Sequence, residues 1–356
     1  MSFFGEKIKL TVFGESHGEA VGAVLCGVPA GCKIDMDKVL VQIARRAPGR
    51  DKTATPRLEK DFPEVKSGIL NGVTTGAPIA CVIENTNTKS KDYNNLLSVP
   101  RPGHSDYTAY VKYGGNNDIR GGGHFSGRLT APIVFAGAIL RQILEEKGIK
   151  IAAHISSIGS VEDSPFNPVS IDDSLINELS NSSFALIDKS KESEMRAEVE
   201  SARFDLDSIG GTVECAVVGM PAGVGGPLFE GIEGKLASAL FGIPAVKGVE
   251  FGNGFNCAKL RGSENNDAFY YEDKKVLTET NNSGGILGGI SSGMPIVFKT
   301  AFKPTPSIAK PQKSVDLSKG TDTTLEIKGR HDPCIVPRAV AVVEAVAAIA
   351  IFDLLS

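Results

Sequence analysis

Residues 285–296 read GILGGISSGMPI, and residues 68–79 read GILNGVTTGAPI. The two stretches agree at most positions and carry similar residues at the others. An internal repeat fixes the architecture that every other motif has to fit, and this one extends outward. Residues 21–31 (VGAVLCGVPAG) resemble residues 213–223 (VECAVVGMPAG), and each leads into a helix-like segment. Arg101-Pro102 is answered by Lys303-Pro304. Arg120 and Arg128, ahead of one long apolar run, mirror Arg330 and Arg338 ahead of another. Four features in one order describe two related halves, about 1–150 and 205–356, with about 151–204 as an insertion in a single domain spanning 1–356.

Periodicity fills in the elements. Residues 7–13 alternate as a strand entering the loop GESHG (14–18), and 21–28 form a second strand ended by Pro29-Ala30-Gly31. Asp35 is placed to cap a helix over 36–46 with Val39, Leu40, Ile43 and Ala44 on one face. Residues 47–60 are a polar loop, 65–69 and 78–83 a strand pair, and 85–113 an irregular polar stretch. The segment 130–147 is apolar on nearly every side until Arg141, which predicts a central buried helix. Strand 149–158 and two exposed helices, 170–179 and 190–203, follow. Then strand 213–219, helix 228–240, strand 247–250 and strand pair 286–300 repeat the first half. A Gly/Asn-rich region at 252–282 reads as a flap, and 338–355 is a second buried helix rich in alanine. Sheets outside and apolar helices inside predict an α+β fold, a layered β–α–β sandwich of largely antiparallel sheets with an internal pseudo-two-fold.

A net charge of −4 over 356 residues points to neither a nucleic-acid nor a membrane partner. The N-terminus carries Glu6, Lys7 and Lys9 where a signal peptide would be apolar. The longest apolar run, 339–355, contains Glu344 and Asp353 and is too short to cross a bilayer. Six cysteines without CxxC spacing read as reduced, buried thiols of a cytoplasmic protein.

The chemistry lies in the loops. Of thirteen arginines, nine (45, 46, 50, 57, 101, 120, 128, 330 and 338) sit in or beside Gly/Pro-rich loops. Arginine suits bidentate capture of phosphate and carboxylate, so the ligand should be small and multiply anionic. Four of five histidines share such loops: His17, His104, His124 and His331. His154, inside a strand, reads as a core residue. A loop histidine among arginines can act as a general acid or hold a phosphate. No spacing suggests a metal site. The glycine clusters match neither a dinucleotide fingerprint nor a P-loop, but they offer unhindered backbone N–H groups.

The motifs FGESHG (13–18), RRAPG (45–49), RPGHSDY (101–107), GILGGISSG (285–293), KPTPS (303–307) and GRHDPC (329–334) resemble those of the chorismate synthase family. The resemblance runs from near residue 7 to near 355. It implies the 1,4-anti elimination of phosphate from 5-enolpyruvylshikimate 3-phosphate to give chorismate, with reduced FMN required although no net redox change occurs. It also implies a β–α–β sandwich assembled as a homotetramer. Carried over by position, His17 would supply a proton to the flavin and His104 would protonate or hold the leaving phosphate. Asp332 would sit near flavin N5 and pass on the proton taken from the ring. Flavin contacts map to His124, Phe125, Ser126, Pro244, Ala245, Gly288, Lys303, Pro304, Thr305, Pro306, Ser307 and Arg330. Ser16 and Arg128 map to the substrate, and Arg46 and Lys52 to NADPH in members that reduce their own flavin. Members that do not would rely on a separate flavin reductase. The family often has GGGRSSARET where this chain has GGGHFSGRLTA, so His124, Phe125 and Leu129 depart from it. A NADPH-dependent flavin reductase is the alternative activity.

Overall fold

Two long apolar segments and the strands that cover them set the architecture. The computed structural model describes residues 3–49, 61–86, 98–327 and 332–356. Helix Thr130–Glu146 and helix Val336–Leu355 are buried along nearly their whole lengths. They lie against each other between two sheets, as apolar surface on all sides of a helix requires. The first helix packs on the strands of one sheet and the second on the other. The stretch Gly127–Glu146 is long and apolar enough to cross a membrane, yet 83% of it is buried inside the sandwich. At their closest approach, a Cβ added to Gly137 would stand 2.4 Å from both Cα and Cβ of Ala345. Only glycine opposite alanine permits that backbone contact.

Both sheets are antiparallel throughout. The first has the order Phe3–Phe4, Lys9–Gly14, Ala20–Cys26, Ile79–Glu84, Glu64–Ser67. The second has Val161–Glu162, Lys150–Ile158, Gly211–Val218, Ile296–Phe302, Val246–Phe251. Apart from the two-residue strands Phe3–Phe4 and Val161–Glu162, the four remaining strands of each sheet occupy the same places when taken along the chain.

The repeated motifs also meet each other in the same way. In the first half the Thr74 hydroxyl donates to Pro29 O at 2.7 Å and accepts from Cys32 N at 2.9 Å. In the second half the Ser291 hydroxyl donates to Pro221 O at 2.6 Å and accepts from Val224 N at 2.9 Å. Each GIL hairpin is thus pinned by one hydroxyl to the Pro-Ala-Gly turn that follows a core strand.

Lys150–Ile158, expected as a strand, pairs with Gly211–Val218 in the core of the second sheet. Two expectations are corrected. Residues 85–113, read as irregular, include helix Asp106–Tyr113, closed by Gly114 at φ 60. Its tyrosines are exposed, so it shows no apolar stripe. Residues 252–282, read as a flap, form a short hairpin, Phe269–Glu272 with Lys275–Thr278. That region is tied down where Asp267 accepts from the N–H groups of Asn282 and Ser283. Of the cysteines, Cys81, Cys215 and Cys334 are buried, Cys26 and Cys32 are partly covered and Cys257 is exposed.

The helix contact is testable. Gly137→Ala should cost about 1–3 kcal/mol in denaturant unfolding, the usual penalty of overpacking. Gly234→Ala, on an exposed helix face with nothing near the added Cβ, should gain about 0.5–1 kcal/mol. Equal effects at the two positions would contradict a close helix pair.

Candidate functional site

The N-terminal ends of the two long helices converge on a cavity of about 610 Å³. Thr130 opens one helix at its wall, and Ile335, Arg338, Ala339 and Val342 present the first turns of the other. Unpaired N–H groups at helix starts favour anions, and the side chains reinforce them. Six cationic side chains line the cavity: Arg46, Arg101, Arg128, Lys247, Lys303 and Arg338. Asp332 is the one acidic side chain among the described lining residues. Lys247 was not foreseen, because it sits inside a strand.

The four arginines and Lys303 are fixed by the fold. Arg46 donates to Asp61 Oδ2 at 2.8 Å, to Thr130 Oγ1 at 2.9 Å and to Gly127 O at 2.8 Å. Arg128 donates to the other oxygen of the same carboxylate and to Asn85 Oδ1 at 2.9 Å. Asp61 is fully buried between them. Asp332 pairs with Arg338 at 2.5 Å, and Arg338 Nε donates to the carbonyl of Arg46 at 2.9 Å. Lys303 Nζ donates to Gly103 O. Burial and the neighbouring Lys247 hold the Lys303 ammonium below its ordinary pKa.

RPGHSD closes on itself. Arg101 grips the Asp106 carboxylate with Nε at 2.7 Å and a second nitrogen at 2.8 Å, and its backbone N–H adds a third contact at 3.0 Å. A further guanidinium nitrogen reaches Ser307 Oγ at 3.0 Å. His104 Nδ1 lies 2.6 Å from Asp106 Oδ1. Burial, with Arg101 and Lys303 nearby, pushes the His104 pKa below its ordinary value, against the opposing pull of Asp106. The neutral ring is thereby favoured.

GGGHFSGR forms the facing wall. Gly121, Gly122 and Gly123 take φ of 60, 88 and 53, and a Cβ on Gly121 would stand 2.2 Å from the His17 ring. Only glycine turns the chain this tightly past a side chain. His17 sits behind that wall, its Nδ1 3.3 Å from Ser16 Oγ, while Ser16 itself faces the cavity. His124 is oriented through Nδ1 to Gly14 O at 2.8 Å. Phe125 lies 6.3 Å from Tyr113, and Ser126 accepts from Arg128 N at 3.2 Å. Phe125 and Ser126 both line the cavity.

Pro244, Ala245, Thr305, Pro306 and Ser307 line the opposite side. Ala245 holds φ at 74, a strained value for a residue with a side chain. Pro304 packs against Gly210 instead. Gly288 is not at the cavity: its hairpin is held on the 221–232 segment by Ser291 and by Ile232 N donating to Gly289 O at 3.0 Å. Arg330 and Lys52, with Arg50, Arg57 and His331, lie outside the described residues. Arg120 pairs with Asp118 at the surface, and Arg45 belongs to the core, bound with Arg141 to Glu344.

A flat face of proline, alanine and open backbone beside clustered cations suits a planar ring carrying a phosphate. The donor set therefore fits a flavin mononucleotide together with an anionic substrate.

Residues 8–355 match the family described as chorismate synthase. A chorismate synthase of Dehalococcoides mccartyi is 48% identical over 350 residues, which covers 98% of this chain and 95% of the relative. One from Pyrococcus abyssi is 49% identical over 349 residues, covering 98% and 96%. A solved crystal structure of chorismate synthase matches with a TM-score of 0.78 at 29% identity, over 99% of this chain and 92% of that one.

His154 serves as the internal reference. Its ring is fully buried, with Nδ1 2.8 Å from Asp163 and Nε2 2.9 Å from Glu214. Burial opposes the charge, but the two carboxylates prevail and raise its pKa above 6.5. Resolved by NMR, His104 should lose its proton below pH 6.5 and His154 above it. A raised folded-state pKa adds stability that is complete below the unfolded value and disappears as pH climbs through the folded one. Denaturant stability should therefore decline above neutral pH in the wild type, and His154→Gln should remove that component. An unchanged slope in the variant would refute the charged assignment.

Proposed function

From the premise that this chain belongs to the chorismate synthase family, lyases that eliminate phosphate from 5-enolpyruvylshikimate 3-phosphate to give chorismate at the end of the shikimate route, we propose that the cavity between the two helix starts is the active site. What carries the reading is the convergence of His104, Asp332 and six cations beside a flat apolar wall. The substrate brings two carboxylates and a phosphate, which a cavity of this charge attracts and orients.

His104 takes the leaving phosphate. Its low pKa in the free protein rises when a phosphate enters, so the ring gains a proton where one is needed. Asp332, its carboxylate steadied by Arg338, helps pass on the proton taken from the ring. His17 communicates with the cavity through the Ser16 hydroxyl. Arg46 and Arg128, locked by Asp61, form a rigid positive floor, and Arg330 belongs to the same anion-binding set. Reduced FMN, held by His124, Phe125, Ser126, Pro244, Ala245 and residues 303–307, would supply transient electron density that acid–base groups cannot.

Arg46 and Lys52 are the proposed NADPH contacts if the chain reduces its own flavin; otherwise a separate reductase supplies it. We place the protein in the cytoplasm as a homotetramer. Support comes from exposed apolar side chains on the second half, Leu228, Phe229, Phe255 and Tyr271. In one chain the strand Ile296–Phe302 separates the Gly288 hairpin from Lys303, roughly 20 Å at the rise of a strand, so a flavin contact by Gly288 would come from a second copy.

Anaerobic turnover with flavin absorbance followed simultaneously tests the reading. With chemically reduced FMN and no NADPH, many chorismate molecules should form per flavin, which stays reduced. Oxidised FMN should bind without turnover. One flavin oxidised per product would instead identify an oxidoreductase.

A further inference from the structure

Three groups reach His104 Nδ1, of which the Ser105 hydroxyl, at 3.4 Å, can donate or accept and so does not discriminate between tautomers. Asp106 Oδ1 lies 2.6 Å away and an Arg101 guanidinium nitrogen 3.2 Å away. A carboxylate only accepts and a guanidinium only donates, so the proton on Nδ1 decides which contact is a bond. Two lone pairs cannot meet at 2.6 Å without strong repulsion, whereas 3.2 Å is tolerable between a guanidinium already committed to Asp106 at 2.8 Å and a ring N–H. Asp106 is itself immobilised. It opens helix Asp106–Tyr113, and three donors of Arg101 fix its carboxylate. That grip and the His104 contact keep Asp106 ionised, well below its ordinary pKa despite burial.

On the far side of the ring, Nε2 faces the glycine wall. A Cβ on Gly122 would stand 3.1 Å from it, so the absent side chain leaves that nitrogen open to the cavity. Among charged groups, Arg101 and Asp106 face the ring from its own loop, and Lys303 faces it from the end of strand Ile296–Phe302.

We propose that Asp106 is a positioning residue that fixes His104 in the Nδ1–H form, so that Nε2 is the atom that carries the proton to the leaving group. The proposal rests on the assignment of His104 to the phosphate. Its logic is that of a carboxylate behind a catalytic imidazole, which sets tautomer and orientation without itself exchanging a proton. Arg101 then holds the carboxylate, linking the anion-facing arginine to the acid through one rigid loop.

Asp106→Asn retains size and an acceptor oxygen but removes the charge. It should lower kcat/KM by about 10²-fold or more. The pH limb belonging to His104 should move to lower pH, since Arg101 and Lys303 would then depress the ring unopposed. In a His104→Ala background the same substitution should keep only the smaller loss that comes from freeing Arg101, so the two substitutions together cost clearly less than the product of their separate losses. A loss that is equal at every pH and in both backgrounds would reduce Asp106 to a folding role. Independently of turnover or of the variant's folding, the ¹⁵N shifts of His104 in the wild-type protein above its pKa should report Nδ1–H. An Nε2–H ring would overturn the inference while leaving the elimination reading intact. Absence of turnover in the wild type with an Nδ1–H ring would do the reverse.

Discussion

The contact of Gly137 with Ala345 fixes the distance between the two buried helices, and the rest of the molecule follows from that distance. Helices apolar on all sides need cover on all sides, and two antiparallel sheets supply it. Because each helix starts at the same end of the layer, their N-termini arrive together at one mouth. The cavity is a consequence of this arrangement, since its walls are the loops that enter the two helices and the strand ends beside them. A larger residue at the crossing would separate the floor of the cavity from its wall before it touched any ligand group.

Buried carboxylates are the second organising element. Glu344 binds Arg45 and Arg141 within the helix layer and accepts from Ala153 N at 2.9 Å. Asp61 joins Arg46 to Arg128, and Asp106 holds Arg101. Removing one partner of such a pair typically costs about 3–5 kcal/mol, because the other charge is left stranded. Two of these carboxylates hold guanidiniums at the cavity wall. The site thus keeps a positive field while its arginines are already positioned, so little ordering remains when an anion enters.

The order of elements was legible from residues alone. Repeated GIL and Pro-Ala-Gly segments, one capped helix and two apolar runs are local signals, and local signals survive without a partner in view. The loop position of His104 was legible in the same way, whereas Ser126, Lys303 and Asp332 entered the candidate site through the family resemblance. Helix Asp106–Tyr113 and the hairpin Gln312–Asp316 with Thr321–Leu325 were not legible. Both are polar and short, and they owe their form to what they pack against.

Residue type and spacing alone fix the repeat, the layer types and the chemistry of the loops. Tertiary structure decided where those loops meet. It paired Lys150–Ile158 with a segment some sixty residues on, a partner that only hydrogen bonds between strands select. It removed Gly288 from the cavity and set His17 behind Gly121. It also turned arginines of one residue type into different parts: Arg45 for the core, Arg120 for the surface and Arg101 for the site. No pattern along the chain separates those roles, because each is set by the carboxylate that the fold brings within reach.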